Sequence, residues 1–298
     1  MALLSIIIPC YNHVMFLEQR LGTVLNQTFQ DFELIILDDN SSDGSWNYLK
    51  QYQDHPKVSY CIRNEVNSGS PFKQWKKGIE LAKGELIWIA ESDDWSELTF
   101  LDHCVSYFES KDIGLVMAAS KYVDCNNQVL RSISHVCPCG FYEGIHFLKN
   151  HMYFKNSVIN ASAVVFRKSF IKERILNQVV NFRLSGDHLF WTALMSFSKL
   201  VIIEDQLNFF RWHDQSVRKQ ELKNLTGLKE GIKIKNWIES QIHIDKRDRI
   251  RSRREVYLNF FKFLKNNPSS KNFNEFLEIS SFFSFSDKLK AWVRFALF

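Results

Sequence analysis

Glu85-Leu86-Ile87-Trp88-Ile89-Ala90-Glu91-Ser92-Asp93-Asp94-Trp95 is an apolar, β-prone run that ends in three carboxylates within four positions. The run reads as a buried strand. Its ending is unfavourable unless something positive stands beside it, because like charges oppose one another's ionisation. A divalent metal answers that need, since Mg²⁺ and Mn²⁺ take oxygen ligands. The carboxyl end of a strand in an open α/β sheet is also where ligands bind. The same residues equally suit a solvated acidic turn in which Asp94 or Ser96 caps the next helix.

On the N-terminal side of this run, strand and helix patterns alternate. Residues 3–9, 32–37, 58–62 and 85–90 read as strands, and 14–27, 45–53 and 72–83 as helices. A helix over 98–109 and a strand over 113–119 continue the series on the other side. This alternation predicts an α/β fold, a mostly parallel sheet flanked by helices and joined by right-handed crossovers. From about Lys121 to Gly140 the pattern is irregular, with Asn126-Asn127 marking a hairpin turn. Residues 159–166 read as a strand, 187–197 as a helix starting just after Ser185-Gly186, and 200–203 and 207–212 as short strands. After about Ser216 the chain reads helical and basic. We therefore expect a domain over 1–215 and a basic helical extension over 216–298.

The 298 residues are 45% hydrophobic and 24% charged with a net charge of +5, an ordinary globular composition. That charge suits an anionic substrate or an anionic membrane surface and does not argue for nucleic acid. The 26 Phe and 8 Trp imply a large core or an exposed aromatic surface. No apolar run is long enough to cross a bilayer. The opening Met1-Ala2-Leu3-Leu4-Ser5 lacks a basic n-region, so no signal peptide is read. The six cysteines do not have the spacing of a disulfide framework, and Cys137-Pro138-Cys139 is too tight for a structural zinc pair. Free thiols in a cytoplasmic protein are expected.

The first two strands also end in polar groups, Pro9-Cys10-Tyr11-Asn12 and Asp38-Asp39-Asn40-Ser41-Ser42-Asp43-Gly44-Ser45. In a parallel sheet these endings share an edge with Glu91, Asp93 and Asp94. Asp39, nearest the strand end, is placed to accept hydrogen bonds from a ribose or a base. Asp43 reads as a turn and helix cap. There is no GxGxxG and no GxxxxGK[ST], which disfavours a dinucleotide oxidoreductase or a P-loop NTPase. Phosphates would then be held by metal and side chains, with Arg63, Lys73, Lys76 and Lys77 flanking residues 64–71 as the available cations.

Taken together and in order, Ser5-Ile6-Ile7-Ile8-Pro9-Cys10-Tyr11-Asn12, the stretch Gln27-Thr28-Phe29-Gln30-Asp31-Phe32 leading into Asp38–Ser45, and the Glu91–Trp95 motif resemble family 2 glycosyltransferases of the GT-A fold. The resemblance runs over roughly residues 3–213. It implies inverting transfer of a sugar from a nucleotide-diphosphate sugar, a UDP-sugar first, with Mn²⁺ or Mg²⁺ held by a DXD-type motif. By that resemblance Pro9, Tyr11 and Asn12 belong to the nucleotide pocket and Asp39 is its base- or ribose-binding carboxylate. Asp93, with Glu91 or Asp94, corresponds to the DXD motif; Glu-Ser-Asp-Asp stands here, and the longer arm of Glu shifts the geometry.

Ser185-Gly186-Asp187-His188-Leu189-Phe190-Trp191 resembles the family segment that carries the catalytic base, Asp187. An inverting transfer needs one group to take the acceptor hydroxyl proton. The alternative for Asp187 is an N-cap. Arg211-Trp212-His213 resembles a late motif in which His213 completes the metal or diphosphate shell; a structural histidine is the alternative. The family usually builds surface polysaccharide, lipopolysaccharide or capsule, which implies a glycan or lipid-linked glycan acceptor. A non-catalytic nucleotide-sugar-binding or scaffold protein on the same fold is the competing reading, and an intact Asp187 with Asp93 and Asp94 stands against it.

The tail carries the basic run Lys246, Arg247, Arg249, Arg251, Arg253 and Arg254, without a nucleic-acid recognition motif. From Phe285 onwards Leu289, Trp292, Val293, Ala296 and Leu297 fall at helical spacing beside Lys288, Lys290 and Arg294. Such a helix lies in a membrane interface, peripheral on the inner face of the cell membrane, or docks on the catalytic domain.

Overall fold

The computed structural model describes residues 2–133, 135, 137–212, 225–268 and 272–297. The first part alternates as expected: β1 (Leu4–Cys10), α1 (Val14–Leu25), β2 (Phe32–Asp38), α2 (Ser45–Leu49), β3 (Val58–Arg63), α3 (Pro71–Leu81) and β4 (Leu86–Ile89). These four strands pair in parallel in the order β3-β2-β1-β4. β1, β2 and β4 are buried along their whole length, as apolar strands covered on both faces must be.

Beyond β4 the chain continues through β5 (Trp95–Ser96), α4 (Phe100–Val105), β6 (Ile113–Val123), β7 (Val129–Ile133), β8 (Gly140–Glu143), α5 (Gly144–Phe147), β9 (Val164–Arg167), α6 (Glu173–Val179), α7 (Gly186–Met195) and β10 (Lys199–Arg211). This half of the sheet is mixed. β9 lies antiparallel between β4 and β6, β10 runs parallel to β6, and β5, β7 and β8 are added antiparallel. The strict alternation of strand and crossover helix ends at β4, so parallel pairing is no longer imposed. β6 and β7 form the hairpin read at Asn126-Asn127, with Asn127 at φ 66°. The strands expected over 200–203 and 207–212 are one strand, β10, carried through register breaks around Gln206 while Glu204 stays exposed. The strand expected from residue 159 starts only at Val164, because Ala161–Ala163 forms a 3₁₀ turn capped by the Asn160 side chain.

The tail is α8 (Thr226–Gln241), α9 (Lys246–Asn266), α10 (Phe273–Ser280) and α11 (Phe285–Leu297). The expected boundary at 215/216 falls outside the described residues. Ile234, Ile238 and Ile244 are buried in the same core as Trp75, Phe190 and Trp191. Val256, Phe260, Phe276, Ile279 and Phe295 form a separate core. α11 docks on that second core through Ala291 and Phe295, yet leaves Phe285 90% and Leu289 73% exposed. No helix among the described residues is long and apolar enough to cross a membrane.

Candidate active site

The cluster after β4 does have positive charge beside it, and the protein supplies it. Arg20 of α1 is fully buried; its Nε donates to the Glu91 carbonyl at 2.8 Å and its Nη2 to Ser162 Oγ at 3.1 Å. Burial lowers its pKa to about 10, while Asp94, Asp93 and Glu91 oppose that shift. Arg211, at the end of β10, donates through Nε to the Asp93 carbonyl at 2.7 Å and through Nη1 to the Asp124 carbonyl at 2.8 Å. Arg20 has a legible signal. It stands among Phe16, Leu17, Leu21 and Val24 on the buried stripe of α1, where a cation needs a partner.

The three carboxylates have different surroundings. Asp94 is 1% exposed. Its Oδ2 accepts from Asn160 Nδ2 and Ser162 Oγ, both at 2.7 Å, and its Oδ1 accepts from the Arg211 amide at 3.0 Å. Asp94, expected among the metal ligands, also ties the turn after β4 to β10 and to the 3₁₀ turn. Glu91 accepts from Trp75 Nε1 at 2.8 Å and lines a cleft of about 750 Å³. Burial, reinforced by Asp93, pushes its carboxyl up to about 8 against the Trp75 hydrogen bond. Asp93 is 19% exposed and lies 4.0 Å from His13 Nε2, while His13 Nδ1 meets Ser92 Oγ at 2.8 Å.

Asp187 lines the same cleft. The N-cap of α7 is Ser185, so Asp187 sits inside the first turn and is not the cap. Asn156 Nδ2 donates to its Oδ2 at 2.8 Å, which fixes the rotation of the carboxylate. Gly186 permits the close approach of this turn to α3, since a Cβ there would stand 2.6 Å from Phe72 Cδ2. Behind it Phe190 packs edge-on against Trp75 and Trp191, and Trp75 lines the cleft.

α8 braces both walls. Glu230, 6% exposed, accepts the backbone N–H groups of Arg183 (2.7 Å), Leu184 (3.0 Å) and Ser185 (2.8 Å) just before α7. Lys235 Nζ donates to the carbonyls of Tyr153 (2.5 Å) and Phe154 (3.3 Å), two residues before Asn156. Burial lowers the Lys235 pKa to about 8. These residues escaped the sequence reading, though Glu230 lies at helical spacing with Ile234 and Ile238 on the buried stripe.

The ends of β1 and β2 do come together. Asn12, at φ 57°, accepts the Ser42 amide at 2.8 Å and donates its own amide to Ser41 Oγ at 3.0 Å. Pro9 is buried within β1 and Tyr11 beyond it is 48% exposed. Asp39 is buried; its Oδ1 accepts from Asn64 Nδ2 (2.6 Å), the Ser68 amide (2.9 Å) and Gln74 Nε2 (2.7 Å), and its Oδ2 from Ser68 Oγ (2.8 Å). Asp43 caps the turn before α2 through Ser45, as read. Two of the expected phosphate cations have partners within the protein. Arg63 Nη2 donates to the Ser41 carbonyl at 2.8 Å and its Nε lies 3.4 Å from buried Asp38, so it pins the β2 turn. Lys76 Nζ donates to Asn177 at 2.7 Å and pairs with Glu80, one turn along α3.

Among the described residues no group of three or more His, Cys, Asp or Glu is arranged as a closed metal site. His213 lies outside the described residues. Asp94 is engaged by three donors, and Asp93 and Glu91 stand on the same turn after β4. That set fits Mg²⁺ or Mn²⁺ held by one or two carboxylates together with substrate phosphates, and does not require an all-protein cage.

Residues 5–175, more than half of the chain, match the model of glycosyl transferase family 2. An uncharacterized glycosyltransferase of Methanocaldococcus jannaschii is 26% identical over 78% of this chain and 80% of its own length. The poly(ribitol-phosphate) beta-N-acetylglucosaminyltransferase TarP of Staphylococcus aureus is 24% identical over 69% of this chain and 61% of its own. The chain spans only 15% of the length of the poly(ribitol-phosphate) beta-glucosyltransferase of Bacillus spizizenii, at 38% identity over 94 residues. In structure, S. aureus TarS 1-349 in complex with UDP-GlcNAc superposes with a TM-score of 0.69 at 16% identity, covering 97% of this chain and 81% of that one. The Pyrobaculum calidifontis mannosyltransferase PcManGT in complex with GDP-Man and Mn²⁺ does so at 0.56 with 11% identity, covering 100% and 81%. The GT-A-like sheet, the carboxylates around one cleft and the family match converge: this chain belongs to glycosyl transferase family 2.

Proposed function

We propose that the protein transfers a sugar from a nucleoside-diphosphate sugar, a UDP-sugar first, to a hydroxyl of a glycan or lipid-linked glycan, with inversion at the anomeric carbon. The observation that carries this reading is the pairing of Asp187 and Glu91 on one cleft beside the ends of β1, β2 and β4. Asp187, oriented by Asn156, takes the proton of the acceptor hydroxyl as its oxygen bonds to the anomeric carbon. The bond to the diphosphate breaks in the same step, and its electron pair leaves with the diphosphate oxygen. Tyr11, Asn12 and Asp39 form the nucleotide side. Asp39 is preloaded with donors from 64–74, so that a base or ribose exchanges partners within an existing network. Asp93 and Glu91 would hold Mg²⁺ or Mn²⁺, which when bound neutralises charge developing on the diphosphate.

The outward stripe of α11, with Lys288, Lys290 and Arg294 on the same helix, supports a peripheral contact with an anionic membrane. The acceptor is then a lipid-linked intermediate of surface polysaccharide, lipopolysaccharide or capsule made on the cytoplasmic side. The central test is calorimetric titration of UDP with Mn²⁺ and with EDTA, on the wild-type chain and on Asp93→Asn. Tight binding only in the presence of metal, lost in the variant, is expected. Equal affinity with and without metal overturns the metal reading.

A further inference from the structure

Three cations line the cleft that holds Glu91 and Asp187: Arg131 from β7, Lys155 from the segment before Asn156, and Arg183 from the loop before α7. All three are exposed, and none forms an ion pair with another described residue. Two of them are nevertheless prearranged. The Arg131 guanidinium lies 4.6 Å over the Tyr122 ring, which in turn stands 5.1 Å from Phe210, and both rings also line the cleft. The backbone of Arg183 is fixed by Glu230. These elements lie beyond β4, whereas the nucleotide edge is built by β1 and β2. Glu91 and Asp187 line the same cleft, and a neutral saccharide gains less from the three exposed cations there than an anion does. Arg also matches phosphate oxygens with two parallel hydrogen bonds.

We propose that the acceptor carries phosphate close to the reacting hydroxyl, and that Arg131, Lys155 and Arg183 form the subsite that recognises it, beside the Tyr122–Phe210 wall. The proposal rests on the reading of this cleft as the transfer site. The phosphate comes from a polyol phosphodiester chain or from a saccharide diphosphate on a lipid anchor; the chemistry recognised is the same.

The test is titration calorimetry on the full chain with UDP and Mn²⁺ present. The probes are a short polyol phosphodiester oligomer, a short-chain prenyl diphosphate saccharide and an uncharged oligosaccharide of similar size. One or both phosphate probes should bind at least about tenfold more tightly than the uncharged one, and which does so identifies the source. That preference should shrink as salt rises, as exposed charge pairs are screened. It should vanish in the Arg131→Gln, Lys155→Gln, Arg183→Gln variant. Equal binding of charged and uncharged probes by the wild type overturns the proposal, and so does a preference that survives the triple substitution or high salt. The wild-type salt series decides the matter should the variant fail to fold. Failure of the transfer reading shows separately: Asp187→Asn would then keep full transfer activity whatever the phosphate preference.

Discussion

α8 and α11 belong to the same basic, helical tail, and composition does not separate them. Their positions do. α8 buries Ile234 and Ile238 in the core of the sheet and uses its buried charges, Glu230 and Lys235, to hold the segment that leads into α7 and Asp187 and the one that leads to Asn156. α11 buries Ala291 and Phe295 against a second core and turns Phe285 and Leu289 to solvent. The first helix is thus part of the framework of the candidate site, and the second presents a surface. An extension named by sequence position alone conceals that difference.

Asp187 sets the ceiling for anything α8 does through its loop. Asp187→Asn should lower transfer by about 10²–10⁴-fold with donor affinity little changed, because Asn keeps the shape but cannot take a proton. Near wild-type turnover would move the base elsewhere and leave the α8 contacts purely structural.

Glu230→Ala should come next. It leaves three backbone N–H groups without an acceptor, which costs on the order of 3 kcal/mol of stability. It should also lower the maximal rate more than it raises the KM for donor. Glu230→Gln, which keeps one acceptor oxygen, should recover part of the rate. A stability loss with an unchanged rate would show that the brace does not position Asp187.

The framework also sets a pH window. His188 follows Asp187, is buried, and meets the Met152 carbonyl through Nε2 at 2.8 Å. Burial lowers its pKa from 6.5 to about 4. Between those values the unfolded chain takes up a proton that the folded chain refuses. Stability from this group is therefore complete above pH 6.5 and is lost as pH falls towards 4, by on the order of 3 kcal/mol. Denaturant melts of the wild type and of His188→Gln at pH 7 and pH 5 check it. A variant with the same acid sensitivity as the wild type would assign the slope to other groups.

α11 should give the smallest effect on the fold. Phe285→Ser with Leu289→Ser should leave stability within about 0.5 kcal/mol, since both side chains are already exposed. Co-sedimentation with anionic vesicles should weaken. Removing the whole of α11 is a different experiment, because Phe276 and Phe295 stack at 4.2 Å and their separation opens the second core. Unchanged vesicle binding in the double variant would remove the membrane contact from the proposed function.

Much of this molecule is legible in the chain. Period and punctuation place β1 to β4 and α1 to α3 to within a few residues, because a strand covered on both faces must be apolar throughout and a crossover helix must carry one apolar stripe. The polar endings of β1, β2 and β4 and the turn before Asp187 follow from the same reading. The sequence also states that charges near Glu91 require compensation. It does not state by what. Arg20, Arg211, Asn160 and Ser162 reach Asp94 and Glu91 from up to 117 residues away in sequence. Hydrogen bonds between elements so distant are set by sheet order and helix packing, and no local period encodes them. The same holds for Glu230 and Lys235, whose burial depends on which face of the sheet α8 covers. Local chemistry decided which residues could act here; only tertiary packing decided which carboxylates are anchored inside and which line the cleft, because burial and partner choice belong to the assembled core.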